Sequence, residues 1–188
     1  YDFFDYAVHE ALHLSPAEKK TLIELFDKIH DEYHSTQAAF SPSILIAYIE
    51  LILNYADRCY KRQFQTREKI ANDTLARFEQ LVKDYFAQRK YQQLGQPRVE
   101  YFAQALNLSP SYLSDLMKNH TGKPTLAHLH DRLLEEAKIL LAQPGYTISQ
   151  VAYDLGFEYP QYFSRFFKNK TSISPTEYRN SGKSVRPT

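Results

Sequence analysis

The sequence predicts an all-α chain, and three observations carry that expectation. Apolar residues recur at helical spacing between recognisable start signals. No stretch shows the strict alternation of a half-buried strand. And a helix, a turn and a second helix occur twice, about 50 residues apart.

The elements follow in order. Ser15-Pro-Ala-Glu18 is a capping box with proline at the first helical position, and Leu22, Leu25, Phe26 and Ile29 then trace one face. Ser41-Pro42 opens a second helix that runs toward Arg62 through ILIAYIELIL at 44–53. Asp73 is expected to cap a third, with Leu75, Phe78, Leu81, Val82, Tyr85 and Phe86 at helical spacing, and Leu94-Gly-Gln-Pro97 breaks it. The first repeat is VEYFAQALNLSPSYLSDLMKNHT at 99–121 and the second ISQVAYDLGFEYPQYFSRFFKNKT at 148–171. Ala103 and Leu106 match Ala152 and Leu155; Tyr112, Ser114, Lys118 and Thr121 match Tyr162, Ser164, Lys168 and Thr171.

The turns carry Asn107 and Gly156, residue types that tolerate a left-handed backbone. Ala103 and Ala152 are small where two steeply crossed helices must approach. These are the requirements of a helix-turn-helix, whose second helix enters the DNA major groove. Between the repeats, Thr125 to Gln143 reads as one helix with Leu126, Leu129, Leu133, Leu134, Ala137, Leu140 and Leu141 on its apolar side. Its length, roughly 27 Å, is close to the roughly 34 Å of one DNA turn. Ser174-Pro-Thr-Glu177 repeats the capping box before a short closing helix, and SGKSVRPT at 181–188 reads as a flexible basic tail.

In the second repeat, Phe163, Phe166 and Phe167 fall on one side of a helix begun by Pro160. Gln161, Arg165, Lys168 and Asn169 fall on the other. Gln pairs with adenine and Arg with guanine in two-point contacts, so this outward face suits base reading.

Composition bounds the alternatives. Hydrophobic residues at 43% and charged residues at 24% describe a globular chain rather than a disordered one. The longest apolar run is too short for a membrane span and contains Glu50. One cysteine, Cys59, excludes an internal disulfide framework and fits a reducing, cytoplasmic setting; with no activating base beside it, an inert thiol is expected. The net charge of +1 conceals a division: residues 1–73 carry 8 Lys and Arg against 12 Asp and Glu, and residues 74–188 carry 15 against 10. A net of −4 beside one of +5 points the second part toward a polyanion.

His9-Glu10-Ala-Leu-His13 matches the HExxH pattern of zinc peptidases. Such a site needs a third ligand, Glu32 or His34, and a helix that continues through the motif, whereas Ser15-Pro16 starts a new one. No metal, cofactor or enzymatic activity is expected. The rival of a different class is a helical protein-interaction module without DNA affinity.

Residues 74–180 resemble the DNA-binding domain of the AraC/XylS transcription regulators. The resemblance rests on Ile148, Val151 and Ala152, on Leu155-Gly-Phe157, on Tyr162-Phe-Ser-Arg-Phe-Phe-Lys168 and on Ser174-Pro with Tyr178-Arg179. It implies two helix-turn-helix units, about 98–121 and 147–171, joined by a linker helix. It places base reading in the second unit at Pro160, Gln161, Tyr162 and Arg165, with Lys168 and Asn169 toward phosphate. In the first unit it places base reading at Ser111, Ser114 and Asp115, with Lys118 toward the backbone. Asp115 departs from the basic residue many relatives carry there, and an acid among phosphates must accept from a cytosine amine or pair with a neighbour. Ser172 stands where the family usually has glycine, as Gly122 does in the first unit.

The resemblance also implies a sensor barrel ahead of dimerising helices, so residues 1–73 look like the helical remainder of a longer protein. Independently, the apolar residues of 44–53 cover more than one helix face and must be covered on several sides. A second subunit meeting Ile44, Leu45, Tyr48, Ile49 and Ile52 is preferred over the chain's own first helix or an absent barrel. The expected partners are double-stranded DNA, a second copy of the chain and RNA polymerase, with a small-molecule effector only where a sensor domain precedes.

Overall fold

The computed structural model describes residues 1–7, 10–34, 41–66 and 68–183, and among them there is no strand. A 3-10 turn at Asp2–Asp5 precedes α1 (Pro16–Tyr33), α2 (Ser41–Thr66), α3 (Glu68–Ala87) and the single turn α4 (Tyr91–Leu94). Then come α5 (Val99–Leu106), α6 (Pro110–Thr121), α7 (Thr125–Ala142), α8 (Ile148–Asp154), α9 (Pro160–Thr171) and α10 (Pro175–Lys183). The fold is all-α. No helix among the described residues is long and apolar enough to cross a membrane.

The start signals act as read. Ser15 Oγ accepts from the Glu18 N–H at 3.3 Å while the Glu18 carboxylate accepts from the Ser15 N–H at 2.8 Å. Ser174 and Glu177 form the same reciprocal pair at 3.2 and 2.7 Å. A third box, Thr147 with Gln150, starts α8.

Two expectations change. Asp73 caps nothing: α3 begins at Glu68 and carries Asp73 inside it. Lys69, Ile70 and Ala71 accept helical backbone, and Ala71 is buried at 3% exposure within that first turn. At the other end, α10 runs through Ser181 to Lys183, because Tyr178 packs on Phe167 at 5.3 Å and Arg179 Nε donates to the Leu141 carbonyl at 3.2 Å. The remainder of the expected tail, 184–188, lies outside the described residues.

The chain forms two compact units, residues 1–73 with 108–122, and residues 74–107 with 123–188. In the first, α1 packs along α2. Arg62 near the end of α2 grips Glu18 at the start of α1 through two nitrogens, at 2.7 and 2.9 Å, so the two helices run antiparallel. The Ser15 amide and hydroxyl, and then Arg62, hold the Glu18 carboxyl down at a pKa of about 2. Cys59 is buried here, and that burial pushes its thiol up, in keeping with an inert sulfur. α6 completes this unit, resting on the 3-10 turn and on α2.

The second unit has the larger core. Leu129, Leu133, Ala137, Leu140 and Leu141 of α7 are buried with Val151 and Leu155, and with Phe163 and Phe167 of α9. Phe102 of α5 packs on Phe78 at 5.7 Å and on Tyr85 at 5.4 Å. Tyr91 is fully buried and donates its hydroxyl to Glu136 Oε1 at 3.0 Å; burial pushes that phenol well up, so it stays a donor.

Candidate nucleic-acid interface

The second helix-turn-helix is built by α8 and α9. Buried Ala152 lets the pair pack closely, and Gly156 at φ +79 turns the chain between them. Pro160 then opens α9, where a missing N–H removes no intrahelical bond.

Three phenylalanines fix the rotation of α9 about its axis. Phe163 and Phe167 are fully buried, with Phe157 at 5.4 Å from Phe163. Phe166 is half-buried between Phe157 at 5.6 Å and His130 at 5.3 Å. His130 is itself pushed down by burial and by Lys170, and so stays neutral beside the ring near pH 7. With those rings inward, Gln161, Tyr162, Arg165, Lys168 and Asn169 are all exposed, and Pro160 is half-buried. Arg165 has no ion pair among the described residues, so its guanidinium is available to a ligand. Lys170 is not equivalent: it reaches back to Asp131 of α7 at 3.2 Å, where Lys123 also binds at 2.8 Å. These two lysines hold the Asp131 carboxyl below its usual range.

The helix end departs from its counterpart. Gly122 after α6 and Ser172 after α9 adopt nearly the same left-handed conformation, φ 77, ψ −4 and φ 66, ψ −5. A side chain therefore occupies a backbone region that favours glycine.

In the first repeat, Asn107 is left-handed at φ 59, ψ 45, as the turn requires. Ser109 caps α6, its Oγ accepting from the Tyr112 N–H at 3.2 Å, and Pro110 follows at the first position. Leu113, Leu116 and Met117 are buried. Of the residues expected to read bases, Ser111, Ser114 and Asp115 are all half-buried, whereas Lys118 is exposed. Asp115 accepts a hydrogen bond from the Tyr6 hydroxyl. Tyr6 meets Tyr112 edge-on at 5.2 Å, and Phe64 of α2 lies 5.1 Å from the same ring.

Glu10 is 3% exposed, and its carboxylate accepts from the Ser109 N–H, the Ser109 hydroxyl and the Ala7 N–H, each at 2.6 Å. The sequence reading missed Tyr6 and Glu10 as partners of α6, since they lie 109 and 99 residues from Asp115 and Ser109. The same contacts give Glu10 a role unrelated to HExxH chemistry. Residues 11–15 are not helical, so nothing carries a helical face through His13, and His9 lies outside the described residues. No group of three His, Cys, Asp or Glu among the described residues is placed to hold a metal.

An all-helical core, a left-handed turn after a short helix, and a second helix presenting Gln and Arg outward define a helix-turn-helix domain. Residues 102–181 match the family model described as a helix-turn-helix domain. That segment is under half of the chain, and over it the chain is similar to AraC-type transcription regulators. The arabinose operon regulatory protein of Escherichia coli (strain K12) is 34% identical over 100 residues, covering 53% of this chain and 32% of that protein. An uncharacterized HTH-type transcriptional regulator of the same organism, YijO, is 36% identical over 109 residues, 58% of this chain and 37% of the relative. Among solved structures, the C-terminal domain of the response regulator yesN from Fusobacterium nucleatum superposes with a TM-score of 0.47 at 27% identity. It covers 54% of this chain and 93% of that one. The chain thus spans about a third of the length of the curated relatives it matches.

Proposed function

We propose that this chain is the DNA-binding part of a transcription regulator that recognises a specific duplex sequence, with α9 as its principal reader. The observation that carries this reading is the split of α9: Phe163 and Phe167 are fully buried while Gln161, Tyr162, Arg165 and Lys168 are exposed together. Arg165 is assigned to guanine and Gln161 to adenine, Tyr162 to apolar contact with a base edge, and Lys168 and Asn169 to phosphates. Pro160 shapes the start of the helix and donates nothing. On α6, Ser111, Ser114 and Asp115 are the corresponding readers and Lys118 the phosphate contact. The place of action is the cytoplasm, with RNA polymerase as the expected protein partner.

Dimerisation belongs to the same proposal. No residue of α1 is fully buried, and Ile23 (49%), Phe26 (57%), Ile46 (58%) and Ile49 (49%) are exposed on the α1–α2 pair. Of the five residues expected at a dimer contact, Ile44 and Ile49 are exposed, and Leu45, Tyr48 and Ile52 are half-buried. Apolar surface on this scale favours a second copy of the chain as its cover.

The test is selection of duplexes from a random-sequence pool at two salt concentrations, followed by sequencing. A recovered motif whose binding weakens steeply with salt supports the reading. Absence of both enrichment and salt-dependent binding would favour a protein-interaction module and end it.

A further inference from the structure

The N-terminal segment makes, to α6, the two kinds of contact that DNA would make. The N-terminus of a recognition helix is where a backbone phosphate is received, by free N–H groups and by the helix dipole. Here the Glu10 carboxylate holds that position, bound by the Ser109 N–H and hydroxyl at 2.6 Å each and 3% exposed. Further along the same helix, the base expected opposite an acidic reader is cytosine, which offers an amine hydrogen. Here the Tyr6 hydroxyl supplies the hydrogen to Asp115, and its ring covers Tyr112. Charge agrees as well: residues 1–10 contain Asp2, Asp5 and Glu10 and no Lys or Arg.

We propose that Tyr6 and Glu10 are an internal substitute for DNA, occupying the first recognition helix until duplex DNA displaces them. This rests on the reading of α6 as a DNA-reading helix, and extends it to regulation. In the closed arrangement the chain binds DNA through α9 alone. Opening it adds the second half-site. A helix occupied ten parts in eleven by its own chain binds about tenfold more weakly than a free one.

The experiment compares three full chains: the natural sequence, Tyr6→Phe, and Tyr6→Phe with Glu10→Ala. Each is used to select duplexes from the same random pool, and affinities are then measured on the recovered sequences. The natural chain is expected to enrich one half-site for each bound copy, the one read by α9. The double variant is expected to enrich two adjacent half-sites for each copy and to bind that duplex at least about tenfold more tightly than the natural chain does. Tyr6→Phe, which removes a single oxygen, is expected to fall between them. Affinity for the single half-site reports folding of the α9 unit and should be the same for all three.

Identical motifs and affinities in all three chains would overturn the proposal, as would two adjacent half-sites for each bound copy already enriched by the natural chain. Enrichment by none of them would remove the DNA-binding reading and this inference together.

Discussion

Gly95 and Gly156 lie backbone against backbone: a β-carbon on Gly156 would stand 2.6 Å from the Gly95 carbonyl carbon and 2.7 Å from its Cα. The Gly95 carbonyl is in turn held by the Tyr85 hydroxyl at 2.9 Å, so the strut cannot easily withdraw. Gly156 is also at φ +79, which any side chain resists. The turn that aims α9 is therefore wedged against the segment following α4.

Gly156→Ala should lower stability by about 2 kcal/mol or more, since it adds a backbone collision to a left-handed strain of roughly 1–2 kcal/mol. Gly122→Ala is the control: φ is +77, but nothing lies within 4 Å of an added carbon, so only the roughly 1 kcal/mol backbone cost applies. Thermal unfolding followed by circular dichroism should show the larger loss at Gly156. Equal shifts would mean the wedge has no energetic weight.

Ser172→Gly should act in the opposite direction. Ser172 holds φ 66, and relieving it should stabilise by about 0.5–1 kcal/mol, raising the melting temperature by roughly 1–4 °C. Its exposed side chain is placed after the end of α9, so DNA affinity should not change. A loss of stability would show that the Ser172 side chain makes contacts that outweigh the strain.

Acid should unfold the chain through its capped and paired carboxyls. Glu18 is held at about 2 against a usual 4.5, and Glu177 and Asp131 are also lowered. Groups with a folded pKa below the unfolded value stabilise the fold above the unfolded pKa and lose that contribution as pH falls. Stability should thus be level above about pH 5 and decline from about 4.5 toward 2. Urea unfolding across that range, with Glu18→Gln alongside, checks it. The variant should show a shallower acid decline, and an unchanged one would dismiss Glu18.

Phe26→Glu and Ile46→Glu place a charge in the exposed apolar surface of the α1–α2 pair. Sedimentation equilibrium should show a dimer for the natural chain and a monomer for either variant, with helical content by circular dichroism unchanged and melting no longer dependent on concentration. A monomeric natural chain would remove the dimer from the account.

How much of this was legible in advance depends on distance along the chain. Capping boxes at Ser15 and Ser174, left-handed turns at Asn107 and Gly156, and the two faces of α9 were readable, because each is set by residues within about one helical turn. The start of α3 was not, since helix-forming residues continue through Asp73 and the helix carries that residue inside it. Nor were the partners made by folding: Glu10 with Ser109, Tyr6 with Asp115, and Lys170 with Asp131, which withdraws a cation that sequence alone would count toward DNA. Asp115 shows the difference most clearly. Its charge looked out of place beside phosphates until Tyr6 supplied a partner.

The measurement that bears most directly on the central claim is competition binding of Arg165→Ala against every single-base variant of the selected duplex. The account predicts that preference collapses at one base pair, a loss of about 1–3 kcal/mol of discrimination, while other positions keep theirs. Lys168→Ala, measured in parallel, should weaken all sequences alike and make the salt slope shallower by about 0.9. A base preference in Arg165→Ala identical to that of the natural chain at every position would contradict the assignment of α9 as the reading helix.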